Sequence, residues 1–397
     1  MLNPKTQERE LCYVVEINDI QPIPNYDRVE LATVNGWHII VQKNQFKVGD
    51  KAIYFEVDSR VPESAAFDFL AKRKYKIKTL KMCGCISQGL LMSFEDFGLA
   101  EDEYNVGDFL TKKLGITYYE AGDNDRKAPS ANKYDKMKQR HKKLFKNPIV
   151  KNIMKFKIGR EIMFFFFGKK KDKKSAWPVG RFPGVSKTDQ ERCENMIYIL
   201  EDKTPFIVTQ KCDGSSGTYI LEKKGRNKYE FYVCSRNVRM MSESQKCFYG
   251  EHNYYWEVAL KYDIENKMKK WLNNTPGATW VCWQGEICAP GIQKNPHKLK
   301  ETHFYCFHWT DNINGRLDIV TADKIWKQYN MEVVPIVDTN YILPDDFEEF
   351  KLSADGKYDA IVCEGAKDCD REGFVYYKTT DPTYSFKNVS RTYLLKH

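Results

Sequence analysis

The sequence predicts an α+β protein: a small N-terminal β-barrel, then a larger domain in which antiparallel strands outnumber helices. Three observations carry this. Short β-branched and aromatic runs recur from residue 11 to 115, separated by turn pairs such as Asn35-Gly36, Gly49-Asp50 and Gly107-Asp108. A second set of such runs fills residues 179–397 and is interleaved with two helical stretches, 251–272 and 321–330. Between the two lies a change of composition. Arg126 to Lys174 hold 18 Lys and Arg against 3 Asp and Glu, a local net charge of +15 in a chain whose total is +9.

The first region is justified strand by strand. CYVVEINDI, VELATVNGWHIIV and KAIYFEVD, the last echoed by VGDFL, are short and rich in residues that suit a pleated, half-buried surface. Small barrels of such strands, often of the OB type, bind oligonucleotides. The second region follows. Segment 132–147 is lysine-rich with few apolar residues, Pro148 interrupts it, and 149–167 ends in Phe164 to Phe167. This reads as a linker with a docking helix, and an amphipathic helix on a membrane surface is the rival reading. The basic excess suits a polyanion, usually nucleic acid, or a solvated linker. In the third region FIVTQKCDG, GTYILE, KYEFYVCS, TWVCWQGEI, HFYCFHW, AIVCEG and GFVYYK all read as strands.

Several function classes fall away. No apolar run reaches the roughly 18 residues of a membrane span, and MLNPKTQERE has no signal-peptide pattern. The twelve cysteines are scattered, with one CxC and no CxxC, which fits reduced thiols in a soluble intracellular protein rather than disulfides or zinc. P-loop, Rossmann, H-E-x-x-H and G-x-S-x-G patterns are missing. Stable membrane association and oligomerisation are not expected.

What remains is one ordered constellation. Lys211-Cys212-Asp213-Gly214 follows the strand-like run Phe206 to Gln210, which places a lysine at a strand end before a glycine turn. A lysine there can serve as an exposed nucleophile, or it can be an ordinary surface residue. Downstream come Ser235-Arg236-Asn237, Gln284-Gly285-Glu286, Phe304-Tyr305-Cys306-Phe307, Glu372-Gly373-Phe374-Val375 and Ser385-Phe386-Lys387, in that order. The order resembles motifs I, Ia, III, IIIa, IV and V of the covalent nucleotidyltransferases, the superfamily of ATP-dependent ligases and mRNA capping enzymes. FPGVSKTD with Arg192 after it, QGEICAPGIQKN, the ending SFKNVSRTYLLKH, and in the barrel DRVELATVNGW, FKVGDKAIYFEVDS and CISQGLL narrow the resemblance to the RNA ligase 5 family, the Naegleria and Deinococcus type.

The resemblance implies an OB-type barrel at 1–117, a basic linker or helical insertion at 118–178 and a nucleotidyltransferase (ligase) domain at 179–397. It implies an enzyme that uses ATP and Mg²⁺ or Mn²⁺, carries AMP covalently on Lys211, and seals RNA bearing 3′-OH and 5′-phosphate ends in duplex or templated form. Lys211 and Lys387 are the implied catalytic pair. Gln210, Gly214, Arg236, Glu286, Phe304, Glu372, Lys187 and Arg192 would bind the nucleotide, with Gln210 at the adenine edge, Phe304 stacked on adenine, and Lys187 and Arg192 on the outer phosphates. Asp213, Glu286 and Glu372 would hold the metal, partly through water. Nearby cations would disfavour the charged form of Lys211, whose free pKa is about 10.4. Phe307 would be core, and Glu364-Gly365 is a decoy for Glu372-Gly373. Many polynucleotide ligases carry arginine where this chain has Ser216, and Arg192 could supply that charge. Ten residues follow Lys387, too few for a C-terminal OB domain, which counts against a DNA ligase or a capping guanylyltransferase. The barrel would then clamp nucleic acid, with Lys72, Arg73, Lys74, Lys76 and Lys78 as a phosphate-contacting strip. A non-catalytic RNA-binding protein is the alternative from another class.

Overall fold

The computed structural model describes residues 1–3, 9–118, 177–178, 180–358 and 368–396, with Asn147, Val150 and Met163. The chain divides into two compact units, Met1–Ala121 with Trp177–His397, and Gly122–Ala176. The expected basic helix, the phenylalanine run, the strand AIVCEG and Glu364-Gly365 lie outside the described residues.

The N-terminal region is all-β apart from short 3₁₀ turns. Its strands are β1 (Cys12–Glu16), β2 (Asp19–Pro22), β3 (Val29–Val34), β4 (Trp37–Gln42), β5 (Lys51–Phe55), β6 (Ser59–Arg60), β7 (Lys76–Ile77), β8 (Thr79–Met82), β9 (Cys85–Gln88), β10 (Leu90–Met92) and β11 (Thr117–Tyr118). They pair as β1-β5-β10, β2-β3-β4, β8-β9 and β11-β6-β7. Alternation does the sorting. In β4, Trp37, Ile39 and Val41 are buried while Gln42 is exposed. Central β5 is buried on both faces: Ile53 and Phe55 enter one apolar cluster, Ala52 and Tyr54 the other.

The C-terminal region holds two sheets. The first contains β12 (Glu191–Arg192), β13 (Phe206–Gln210), β21 (Ile336–Tyr341), β22 (Gly373–Lys378) and β23 (Asp381–Val389), ordered β12-β23-β22-β13-β21. The second contains β14 (Ser215–Gly225), β15 (Lys228–Ser235), β16 (Arg239–Met240), β17 (Trp280–Cys288), β18 (His303–Asp311) and β19 (Gly315–Arg316), ordered β16-β15-β14-β17-β18-β19, with β20 (Glu332–Val333) parallel to β18. Helices α1 (Tyr254–Lys261), α2 (Ile264–Asn274) and α3 (Ile319–Lys327) cover the outer face of the second sheet. The single helix expected over 251–272 is broken at Asp263, whose φ of 48° ends one helix and starts the next. Short α4 (Phe347–Leu352) backs the first sheet, and α5 (Arg391–Lys396) closes the described chain.

The sheets face each other across a shared core. Ile207, Val375 and Tyr377 of the first meet Cys288 and Tyr305 of the second. The turn Cys193–Asn195 fastens the barrel to the first sheet. Gly36 donates its N–H to Glu194 O at 2.8 Å, and Asn195 Oδ1 accepts from Trp37 Nε1 at 2.7 Å and from the Tyr13 hydroxyl at 3.0 Å. Beneath it the Lys351 ammonium donates to Glu194 Oε1, Asn388 Oδ1 and Val389 O at 2.8, 2.9 and 3.1 Å. Most of the described cysteines are buried.

Candidate functional site

A cavity of about 500 Å³ opens between the two sheets and the barrel. Lys211 enters it because β13 ends at Gln210 and the lysine N–H donates to Gly373 O at 2.9 Å, which aims the side chain off the sheet edge. Its ammonium lies 2.7 Å from Glu372 Oε1. Burial works against that charge. Glu372 first, then Glu286 and Asp213, outweigh it and hold the lysine above its ordinary range. Carboxylates surround Lys211 and keep it charged, although Lys387, the second lysine expected nearby, is close enough to interact with it.

Those carboxylates are themselves under strain. Burial, then Glu372, pushes Asp213 up to about 7, against the opposing pull of a hydrogen bond from Tyr393 and the charge of Lys211. Burial also pushes Glu286 up to about 8, with Lys211 opposing. Oε2 of Glu372 is buried with no hydrogen-bond partner. Asp213, Glu286 and Glu372 all line the cavity, a carboxylate set whose oxygens suit a hard cation that keeps several of its waters. Gly214, between Asp213 and the strand that faces Glu286, has no room for a side chain: a Cβ would stand 2.4 Å from Ile287 O.

The cations come from the barrel and both sheets. Lys387 on β23 is the register partner of Arg192 on β12. Burial, then Arg9 and Arg192, push Lys387 down to about 7 despite Asp189. Asp189 holds Arg236 in a bidentate grip, with Nε at 3.0 Å from Oδ2. Arg192 donates to Asp58 of the barrel at 2.8 Å and pairs with Glu56 at 3.9 Å, with Nε and Nη1 buried and making no hydrogen bond, so it lies where the barrel and the first sheet meet at the cavity wall. Ser216, in the position where arginine is common, hydrogen-bonds Thr188.

The apolar end of the cavity is lined by Phe307, Val334, Val375 and Tyr377. Gln210, the last residue of β13, also lines the cavity; its amide atoms are buried without a hydrogen-bond partner, and it shares a strand face with Val208 and its register partner Phe374. Here the sequence reading is corrected. Phe304 is fully buried on the helix-covered side, edge-on to Tyr219, and does not line the cavity; Phe307 does. Alternation along β18 is the cause. Phe304 and Cys306 enter the helix-side cluster while Tyr305 and Phe307 face the other sheet, and the β-bulge at Phe307, where Gln284 pairs with His308 and Gly285 with Cys306, shifts the alternation only beyond it. Gly285 makes this packing possible, since a Cβ there would meet the Phe304 ring at 2.6 Å. Lys187 also lies off the cavity wall. The other expected residues, Gln210, Lys211, Asp213, Gly214, Arg236, Glu286, Glu372, Lys387 and Arg192, all line it.

Sequence reasoning missed several wall residues. The Asp213 N–H donates to His297 Nε2 at 3.1 Å, and Asp213 Oδ2 accepts from Tyr393 of α5. Tyr118 lies between Arg9 and Arg236, at 5.5 and 5.4 Å from its ring centroid. Asp189 and Tyr393 fall inside the stretches FPGVSKTD and SFKNVSRTYLLKH, whereas Arg9, Asp58 and Tyr118 carry no local signal because the barrel brings them in from far along the chain.

Residues 11–94 match an OB-fold domain and residues 204–393 match the RNA ligase family. Solved structures of a Naegleria gruberi RNA ligase align with 98% of this chain and 99% of their own. A point variant with ATP and Mn is 26% identical with a TM-score of 0.71. The enzyme with pyrophosphate is likewise 26% identical with a TM-score of 0.71. A second variant with AMP and Mn is 28% identical with a TM-score of 0.71. A sequence search of curated proteins found no match.

Proposed function

We propose that this chain, which joins an OB-fold domain to an RNA ligase domain, uses ATP to seal breaks in duplex or templated RNA that carry a 3′-OH and a 5′-phosphate. The observation that carries the reading is the meeting in one cavity of Lys211, three carboxylates, and the cations Lys387, Arg192 and Arg236. The Naegleria structures hold ATP, AMP, pyrophosphate and Mn, the ligands this chemistry requires.

In the first step neutral Lys211 Nζ attacks the α-phosphorus of ATP. An N–P bond forms, the bond to the bridging oxygen breaks, and pyrophosphate leaves. In the second, an oxygen of the RNA 5′-phosphate attacks the same phosphorus and expels the Lys211 amine. In the third, the RNA 3′-hydroxyl attacks the 5′-phosphate and AMP departs. Mg²⁺ or Mn²⁺ on Asp213, Glu286 and Glu372, partly through water, would supply positive charge that releases Lys211 from these carboxylates.

The chain's own groups then take distinct tasks. Lys387, suppressed by burial and its cationic neighbours, regains its proton when a phosphate arrives and neutralises charge building on it. Arg236, fixed by Asp189, presents a planar fork suited to phosphate oxygens. Arg192 does the same from the barrel contact. Gln210 reads the adenine edge with its buried amide, and Phe307 packs on the base from the bulge. Lys72, Arg73, Lys74 and Lys78 are exposed on the barrel and suit contacts to RNA phosphates.

The test is sealing of nicked RNA duplexes by the full-length protein with ATP and Mg²⁺ or Mn²⁺. A 3′-OH/5′-phosphate nick is joined and a 3′-OH/5′-OH nick is not. Sealing restricted to DNA, or joining of the 5′-OH nick, would overturn the reading.

A further inference from the structure

The stretch after β15 forms a rim on the cavity with an unusual surface. Val238, Met241 and Phe248 are 41%, 59% and 51% exposed. Single exposed apolar residues need no explanation. Three in one short stretch, at the mouth of a polar cavity, mark a binding surface. Val238 and Phe248 line the same cavity as Lys211. Tyr249 packs at right angles to Phe248, with centroids 5.2 Å apart, and steadies the ring while half its surface stays open. Lys246, beside it in the chain, also lines the cavity.

We infer that this rim is a stacking platform for the nucleobase of the RNA nucleotide that carries the 5′-phosphate. The inference rests on the RNA-sealing reading. Two observations select this occupant. Arg236 and Val238 share one tight turn, closed by the Ser235 N–H donating to Val238 O at 2.9 Å, so a phosphate held beside Arg236 leaves its own nucleoside next to Val238 and Phe248. Val238 and Phe248 present apolar and aromatic surface to the cavity, with Asn237, Gln245 and Lys246 beside them in the same stretch. Stacking of that kind accepts any base, as an enzyme that joins breaks at arbitrary positions requires.

The experiment is single-turnover transfer of AMP from the charged full-length protein to 5′-phosphate RNA at subsaturating RNA, with loading of Lys211 from labelled ATP measured alongside. Phe248→Ala lowers the ratio of transfer to loading at least fivefold, and Phe248→Trp restores it. RNA whose 5′-phosphate nucleotide is abasic loses the same factor with the unaltered protein and nothing further with Phe248→Ala. Equal transfer to abasic and base-bearing RNA by the unaltered protein, or an unchanged ratio in Phe248→Ala, overturns the inference. Failure of the unaltered protein to load or seal refutes instead the RNA-sealing reading beneath it.

Discussion

Lys211 Nζ and Glu372 Oε1 are 2.7 Å apart, so the protein by itself stores its nucleophile in the protonated, unreactive form. Loading must therefore begin by loosening this pair.

A first prediction follows from that pair. With the carboxylate removed, Lys211 loses the strongest interaction that raises its pKa, so the ammonium deprotonates at lower pH. Glu372→Gln shifts the rising limb of the loading rate against pH toward lower pH, while the plateau falls about 100-fold or more as electrostatic support for the reaction is lost. Rapid-quench loading across pH 6–10 measures both. An unshifted limb contradicts the assignment.

Lys387 provides a second. Burial and cationic neighbours push it down to about 7, so near neutrality a substantial share of it is uncharged. An arriving triphosphate raises that pKa, so ATP binding takes up protons and weakens as the pH rises from 7 to 9. Calorimetric titration in two buffers of different ionisation enthalpy reads the uptake directly. Lys387→Arg, which stays charged, removes it. Binding without proton exchange sinks the account.

The third concerns stability. Lys351 and Glu194 are both fully buried and 2.8 Å apart. Losing one partner strands a buried charge, at a cost of about 3–5 kcal/mol. Lys351→Met therefore lowers the melting temperature sharply, and adding Glu194→Gln restores much of it. The sign with pH follows. Lys351 and Arg192 outweigh burial and hold Glu194 below its ordinary 4.5, so its contribution is present above about pH 4.5 and is lost as the pH falls below that. Acid-unfolding curves of the double variant lose part of this slope; coincident curves contradict the pairing.

The basic stretch provides a fourth. Each phosphate neutralised by a lysine adds about 0.7 to the salt slope of single-stranded binding. Replacing Lys169, Lys170, Lys171, Lys173 and Lys174 with glutamine should weaken RNA binding and flatten its dependence on salt. A filter-binding series from 50 to 300 mM salt decides. An unchanged slope makes the stretch a linker.

Much of this site was legible in the sequence because its chemistry sits in short segments at strand ends. Lys211, Asp213 and Gly214 follow β13, and Glu286 and Glu372 lie at or beside strand termini where the fold opens. What could not be read was which face of the strand meets the cavity. A period-2 pattern assigns Phe304 and Phe307 to opposite faces, and the helices packed on the Phe304 side decide that Phe307 meets the cavity. Nor could charge state be read: carboxylates surround Lys211 and keep it charged, while Arg9 and Arg192 stand around Lys387. The barrel was legible from its turn pairs and alternating strands, but not that Arg9, Asp58 and Tyr118 reach the cavity, since that depends on packing between distant segments.

The most direct measurement is incubation of the purified protein with α-labelled ATP and, separately, α-labelled GTP, with Mg²⁺ or Mn²⁺, followed by denaturing electrophoresis. The account predicts label from ATP that survives denaturation and vanishes in Lys211→Ala. Label from GTP instead, or label from ATP that persists in Lys211→Ala, would contradict it.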